Sequence, residues 1–446
     1  MKSAALQRRL GWFDAAMLVL GSMLGVGIFI VPGIVAEHVT STWAFLGVWL
    51  ASGVVALCGA LANGELGAAF PRGGGEYVYL REAYGPAAGF LSGWSSFWIG
   101  FPGSVATGAA AFARIVVQLA GVRVPGVELA IALGLVVLFT TINARGIEPG
   151  RWTQNVLTGM LLLLFAVFLV AGLASSEHAE TAAPTTARTS SLALAAVPVF
   201  FAYFGWNAAT YVAGEIRDPR RSLARALVVG TVVCTAIYLA MNVVFLRSSS
   251  IEEMSGRTDI AYLVATRMFG RAGAIGVTIL IALAMLTSLQ ASVLTGPRIY
   301  QAMAEDRIFF RKLAEVHPRT RVPVNAIVMQ GFVAAALLLT GTFERLLTFT
   351  TVAIVVFSTV TVLGVIVLRV RRPKLRRPFR TPLYPLVPIV FILANLWLLG
   401  RLVVTGTREA LMGLAIVAAG IPAYALFKRG GRRGAFARGG RAQPSR

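Results

Sequence analysis

Three stretches carry residues whose types and spacing suit binding a small ligand rather than making or breaking bonds. The first is Gly21-Ser22-Met23-Leu24-Gly25-Val26-Gly27-Ile28-Phe29, inside an apolar run from Phe13 to Ala36, with Pro32 following. Such a run crosses a bilayer, which needs roughly 20 apolar residues. Glycine is a poor helix former and lets the backbone approach a ligand closely. Irregular backbone at membrane depth is tolerated only where protein buries it or it lines a cavity. Gly25-Val26-Gly27 therefore reads as a break whose backbone groups are free for a ligand. The competing reading is packing, because Gly21 and Gly25 also form a small-xxx-small pair. The second stretch runs from Phe200 through Ala202 to Asn207, after Pro198, and interrupts an apolar run from Ser191 to Gly214. The third is a set of hydroxyls, Thr287, Ser288 and Ser292; the two serines share a helical face. Hydroxyls so placed either coordinate a cation or bond back to their own helix.

The elements that must position these stretches are membrane spans. Of the 446 residues, 57% are hydrophobic and only 13% charged, and mean hydropathy is +0.75. A soluble chain of this size needs more polar surface. Cys58 and Cys234 lie in apolar runs and suggest neither a disulfide framework nor a metal site. His38, His178 and His317 are scattered without ligand spacing. No metal or cofactor is expected. The first span is full length and lacks a short signal-type core with a cleavage site, so no cleavable leader is expected. The net charge of +22 is distributed in alternate loops, which points to membrane topology and an anionic lipid surface and away from nucleic acid.

About twelve spans are expected: 13–36, 43–66, 87–112, 127–144, 152–174, 191–214, 223–246, 273–303, 323–341, 347–369, 386–405 and 409–427. Roughly 30 of the 41 Lys and Arg fall on one side of this arrangement, which is then cytoplasmic and holds both termini. The loop 175–190, rich in Ser, Thr and Ala, reads as external and flexible. Residues 248–271 form a second long external loop with room for a short helix. The first and sixth spans run in opposite directions and both break internally. Two interrupted, antiparallel helices five spans apart match a five-plus-five inverted repeat, 13–174 and 191–369, with a binding site near the midplane. A basic loop at 370–385 and two extra helices at 386–427 follow, the latter assigned to packing or oligomer contacts, and a basic tail starts at 428.

With those motifs in place, the chain resembles the amino acid–polyamine–organocation superfamily of permeases, most closely its L-type amino acid transporter group. The resemblance spans about Gly11 to Arg321. It rests on the glycine nonapeptide and on Gly64-Glu65-Leu66-Gly67 with Phe70-Pro71 and the run from Gly73 to Pro86. It also rests on Phe201 through Asn207 with Gly214-Glu215-Ile216-Arg217-Asp218-Pro219-Arg220-Arg221, and on Thr295-Gly296-Pro297-Arg298 with Ala302 to Asp306. It implies an all-α membrane protein of the leucine-transporter type, with helices 1 and 6 broken and the substrate between them. A half-helix starting near Gly25 points N–H groups and its positive dipole end at the cavity, which suits a carboxylate. Unwound carbonyls near Phe201, Ala202 and Phe204 suit an ammonium. The expected substrate residues are thus Ser22, Gly25, Val26, Gly27, Phe201, Ala202, Phe204 and Gly205, with Phe201 and Trp206 as gates.

Two positions depart from the family pattern. Val26 stands where a Ser or Thr hydroxyl is common, and Phe204 where L-type relatives often have Gly, which shrinks the pocket. Sodium-coupled members use hydroxyls of the eighth span, for which Thr287, Ser288, Ser292 and Thr295 are the candidates here. Many sodium-independent members place a Lys in the fifth span, where this chain has Met160 or Leu161. Sodium, proton and exchange without a coupling ion all stay open, and a requirement for sodium is not expected. Glu65, Glu215, Arg217 and Asp218 near span ends are expected either in ion pairs that hold one conformation or as simple caps. Glu76–Tyr84 reads as a short amphipathic helix.

No Asp or Glu lies centrally in any span; Asp14, Glu65, Glu128 and Glu215 are near ends. An unpaired cationic side chain would cost several kcal/mol to desolvate. The expected function is therefore transport of small to medium neutral amino acids by alternating access, as monomer or homodimer in a bacterial inner membrane. A cationic amino acid or polyamine permease and a proton-coupled symporter are the alternatives. A membrane enzyme is disfavoured because no acid cluster, His-rich metal set or Ser-His-Asp arrangement falls within the spans; a channel would need a polar stripe through a pore.

Overall fold

The structure, a computed structural model, describes residues 6–174, 191–341, 343–405 and 407–439. The expected external loop at 175–190 and the last residues of the basic tail lie outside the described residues. Every regular element among the described residues is helical, apart from an isolated bridge between Leu10 and Ile216. The chain forms α1 (Trp12–Met23), α2 (Gly27–His38), α3 (Thr42–Ala69), α4 (Glu76–Tyr84), α5 (Pro86–Ser95), α6 (Phe101–Ala120), α7 (Val127–Ala144) and α8 (Ile147–Ala174). It continues with α9 (Leu192–Ala202), α10 (Ala208–Tyr211), α11 (Pro219–Ser248), α12 (Ile251–Met254), α13 (Ile260–Glu305), α14 (Val324–Thr340), α15 (Phe343–Arg371), α16 (Leu386–Thr405) and α17 (Thr407–Gly439).

Nine described helices are long and apolar enough to cross a bilayer, or ten when α1 and α2, bent by 46° at their junction, count as one span. Leu192–Ala202 and Val324–Thr340 are apolar but shorter. This is an all-α, multi-pass membrane protein. Its outer faces carry exposed apolar side chains such as Trp43, Leu50, Leu138, Leu163 and Val170, which water would penalise and lipid accepts. Its interior is built on small residues. Ala15, Ala16 and Val19 of α1 and Ala60 and Ala62 of α3 are buried where α11 packs against both helices. Small side chains let backbones approach, which is how helices gain packing energy in lipid.

Within that frame the interruptions stand out. α1 ends at Met23 and α2 starts at Gly27, leaving Leu24–Val26 non-helical. α9 ends at Ala202 and α10 starts only at Ala208; Gly205 lies at φ +106 in the gap. Ser191 Oγ accepts the Leu194 N–H at the start of α9, and the Ser191 N–H donates to the His38 carbonyl, so α9 begins where α2 ends. The span α5–α6 is itself joined by a π turn at Ser96–Gly100. α13 contains a non-helical residue, Gly270 at φ 58, so the segment expected to be external holds α12 and the first turns of α13.

Candidate functional site

The two breaks touch. A Cβ at Gly27 would lie 2.8 Å from Ala202 Cβ, and one at Gly205 would fall 2.6 Å from Ser22 Oγ. Only glycine lets the α2 start and the second break lie this close, and Gly205 also needs its positive φ. Tyr238 of α11 fixes the junction: its hydroxyl lies 2.6 Å from the Met23 carbonyl and 2.9 Å from that of Ala202, one at each break. Tyr203 reaches the Trp49 carbonyl of α3 at 3.0 Å. The rings of Tyr203 and Tyr238 meet edge-on at 5.1 Å. Gly21 is a packing residue: a Cβ there would sit 2.2 Å from Gln154 and 2.5 Å from Thr287. Gly25 differs, since nothing lies nearer to such a Cβ than the Met23 carbonyl at 3.9 Å.

Beside this junction is a cavity of about 920 Å³. Of the residues expected from sequence, its wall brings together Ser22, Phe201, Phe204, Gly205, Trp206, Ser288 and Ser292. Gly25, Val26, Gly27, Ala202 and Thr287 are not in the wall. Phe201 and Phe204 meet edge-to-face at 5.1 Å, forming an aromatic shelf. Trp206 packs edge-on against Phe391 at 5.5 Å and lies over Gly59, where a Cβ would be 2.8 Å from the indole. The Phe201 carbonyl accepts the Phe204 and Tyr203 N–H groups, and the Ala202 carbonyl accepts from Tyr238 and keeps a second lone pair.

Several wall residues were not anticipated. Ser92, Ser96, Gly100 and Ser104 line the cavity from the third span. They recur every four residues, a small-residue stripe on one helix face that was there to be read. The π turn that carries Ser96 and Gly100 gave no sequence signal, although such turns concentrate at functional sites. Glu76, Asn207 and Tyr211 also line the cavity, as do Phe391, Asn395 and Leu402 of α16. The helix α16, assigned above to packing or oligomer contacts, thus forms part of the wall. Hydropathy alone could not show this, because Phe391 is as apolar as the lipid-facing residues around it. Glu76 is the one carboxylate of the wall, and no Lys, Arg or His lines it among the described residues.

The hydroxyl set behaves mostly as helix-bonded. Thr287 donates to the Leu283 carbonyl at 2.7 Å and Ser292 to that of Ser288 at 3.0 Å. In α8, Met160 is exposed and Leu161 is buried. Several polar residues of α8 face α1: Gln154 donates to Thr158 at 3.0 Å, Thr158 to the Met17 carbonyl at 3.3 Å, and Asn155 to Asp14 at 2.6 Å.

One end of the molecule is closed by ion pairs. Arg298 and Glu215, both almost fully buried, pair through two bonds of 2.9 and 3.1 Å. Glu65 is held by Arg369, Arg377 and the Thr381 N–H. Asp306 gathers Arg72, Arg81 and the Tyr77 hydroxyl. The Leu10 N–H donates to the Glu215 carbonyl, and the Arg217 N–H to that of Leu10, pinning the N-terminal segment to the chain after α10. Of the charges expected to pair, Glu65 and Glu215 do so. Asp218 immediately precedes α11, and no ion pair joins Arg217 or Asp218 among the described residues.

Interrupted helices meeting beside a cavity, inside an all-helical membrane protein, define a transporter of small solutes. Residues 10–421 match the amino acid permease family, and the chain belongs to that family. It is 31% identical to the serine/threonine exchanger SteT of Bacillus subtilis over 94% of this chain and 96% of that protein. It is 28% identical to the mouse b(0,+)-type amino acid transporter 1, over 96% of this chain and 89% of the relative. It is 29% identical to the mouse Asc-type amino acid transporter 1, over 95% and 81%. The chain is a membrane amino acid transporter.

Proposed function

We propose that this chain exchanges small to medium neutral amino acids by alternating access. The observation that carries this reading is the cavity beside the joined breaks, whose wall is hydroxyl-rich and aromatic, with one carboxylate and no cation among the described residues. A zwitterion needs donors for its carboxylate and acceptors for its ammonium. The N–H groups of Gly27 and Ile28, at the start of α2, have no partner within their own helix and carry the positive dipole end. They receive the carboxylate from beside the cavity, next to its wall residue Ser22, with Gly25 and Val26, themselves outside the wall, leaving room for approach. The second lone pair of the Ala202 carbonyl, with Phe201, Phe204 and Gly205 beside it, takes the ammonium. Phe201 and Trp206 gate the site, and Ser22 joins the two halves. No covalent chemistry on the substrate is involved. The relative named as a serine/threonine exchanger, which this chain matches end to end, supports both exchange and neutral substrates.

Counting α1–α2 and α9–α10 each as one bent span, and adding α14, gives twelve spans. The first five and second five form an inverted repeat, which supports placing the site near the midplane. The end rich in arginine ion pairs lies at the cytoplasm, with both termini, in a bacterial inner membrane. No requirement for sodium belongs to this reading, in which the Thr287 and Ser292 hydroxyls donate to their own helix and serve its backbone. A thermal-shift screen of the purified protein over the common amino acids tests the substrate class. Stabilisation by alanine, serine or branched-chain amino acids is expected. Stabilisation by lysine, arginine or polyamines alone would overturn it.

A further inference from the structure

The cavity's one carboxylate is held in an unusual way. Gly74 and Gly75, at φ 112 and 51, turn the chain so that α4 begins flush against α10. A Cβ at Gly75 would lie 2.5 Å from the Tyr211 ring, and the Gly74 N–H donates to the Tyr211 carbonyl at 2.8 Å. This places Glu76, only 8% exposed, against the second break. Its Oε1 accepts from Asn207 Nδ2 at 3.0 Å, and the same nitrogen lies 3.1 Å from the Tyr211 hydroxyl. Asn207 is the last residue of the break before α10, and its carbonyl accepts from Thr210.

No cation neutralises Glu76 among the described residues. On its own helix, Arg81 pairs with Asp306, Glu82 with Arg372, and the Tyr77 hydroxyl with Asp306. Tyr84 donates to the Val360 carbonyl. On α13, Arg298 is taken by Glu215, while Tyr300 donates to the Ser96 carbonyl. On α15, Arg369 holds Glu65 and Arg371 reaches the Ala83 carbonyl. α5 carries no titratable side chain. The phenols of Tyr79 and Tyr211 are the remaining titratable groups that feel Glu76. The first turn of α4 offers a partial positive charge, but burial outweighs it and pushes the carboxyl up to about 7.

We propose that Glu76 is a proton site linked to the second break, so that exchange by this chain is set by whether Glu76 carries a proton. This rests on the exchange reading above. The step is a simple proton equilibrium: a solvent proton binds Oε2 of the carboxylate, while Oε1 still accepts from Asn207. In the neutral form the group lies in its buried site at little cost. In the ionised form it draws water or moves away, and Asn207 transmits that to the wall formed by Gly205 and Trp206. The sign follows from linkage. A carboxyl whose folded pKa is raised stabilises the observed arrangement fully below its ordinary value of 4.5, and loses that contribution as pH rises through about 7. Acid holds the wall sealed; alkali frees it to move.

The test uses the full chain in liposomes with equal pH on both faces, scanned from about pH 5.5 to about 8.5. Wild-type exchange should rise about threefold or more across this range. Glu76→Gln keeps the acceptor for Asn207 but cannot ionise, so it should hold the low acid rate throughout. Glu76→Asp should restore a titration. In parallel, pH-difference infrared spectra of purified protein should show a buried carboxyl C=O band that disappears around neutrality and is missing in Glu76→Gln. Absence of that band, or its presence unchanged in Glu76→Gln, overturns the proton site whether or not the chain transports anything. A band that titrates alongside parallel rate profiles for wild type and Glu76→Gln overturns the link to exchange. If the wild type moves no amino acid, the exchange reading fails and the link fails with it, while the infrared titration still decides the proton site.

Discussion

The first break and the second break meet, yet they present different chemistry. The first, Leu24–Val26, contains Gly25, is followed by Gly27, and reaches the cavity wall only through the neighbouring Ser22. The second gives the wall a nearly continuous run from Phe200 to Ala208, with Ala202 alone left out. One break is backbone with little side chain; the other is aromatic shelf and amide. Tyr238 ties the carbonyl at the end of α1 to the carbonyl at the end of α9, so neither can shift without disturbing the other. The difference teaches that pairing two interruptions does not make them equal. The glycine-rich break is suited to backbone recognition common to all amino acids. The aromatic break is placed to discriminate among side chains.

The largest expected effect comes from filling the first break. Gly27→Leu drives a side chain into Ala202, which should cost about 1–3 kcal/mol of stability and abolish exchange. Gly25→Leu enters open space, so its melting temperature should stay near wild type while exchange is lost. If both variants exchange normally, the first break is only packing and the comparison collapses. Next is Tyr238→Phe, which removes the donor shared by two buried carbonyls. A loss of about 1–3 kcal/mol in thermal stability and a marked fall in exchange rate are expected. Unchanged stability would mean the breaks do not depend on this tie. Smaller still is Phe204→Gly at the second break, which should leave alanine exchange intact and improve bulky neutral substrates about tenfold in kcat/KM. The same gain from a substitution at the first break would contradict the division of roles. The smallest effect is replacement of sodium by choline, for which an unchanged rate is expected. A collapse of uptake that deepens with Ser288→Ala plus Ser292→Ala would assign those hydroxyls to an ion.

Much of this was legible because apolar length and glycine placement are local signals. The helices fall where the hydropathy put them, and both breaks occur at the glycines and at the Phe200–Asn207 run. The cavity wall was only half legible. Ser22, Phe201 and Phe204 belong to the interrupted helices and could be named. Glu76 and Asn395 come from continuous helices, and Ser96 from the π turn between α5 and α6; how these elements are rotated about their axes is fixed by tertiary packing, which hydropathy does not encode. Glu76 was hidden for a further reason: a carboxylate in a short, polar, nine-residue segment reads as surface, and only the Gly74-Gly75 turn brings it under α10. The pairing of Arg298 with Glu215 was half visible, since Glu215 was expected to pair but its partner lies inside an apolar run, near the C-terminal end of α13.

The most direct test of neutral amino acid exchange is counterflow in liposomes. Proteoliposomes are loaded with unlabelled serine, alanine, leucine, lysine, arginine or putrescine, and uptake of labelled alanine is followed from outside. The account predicts strong stimulation by internal serine, alanine and leucine, and no more than the empty-liposome rate with lysine, arginine or putrescine. Stimulation by the cationic solutes above that of alanine would contradict it and would make Glu76 the partner of a cationic side chain.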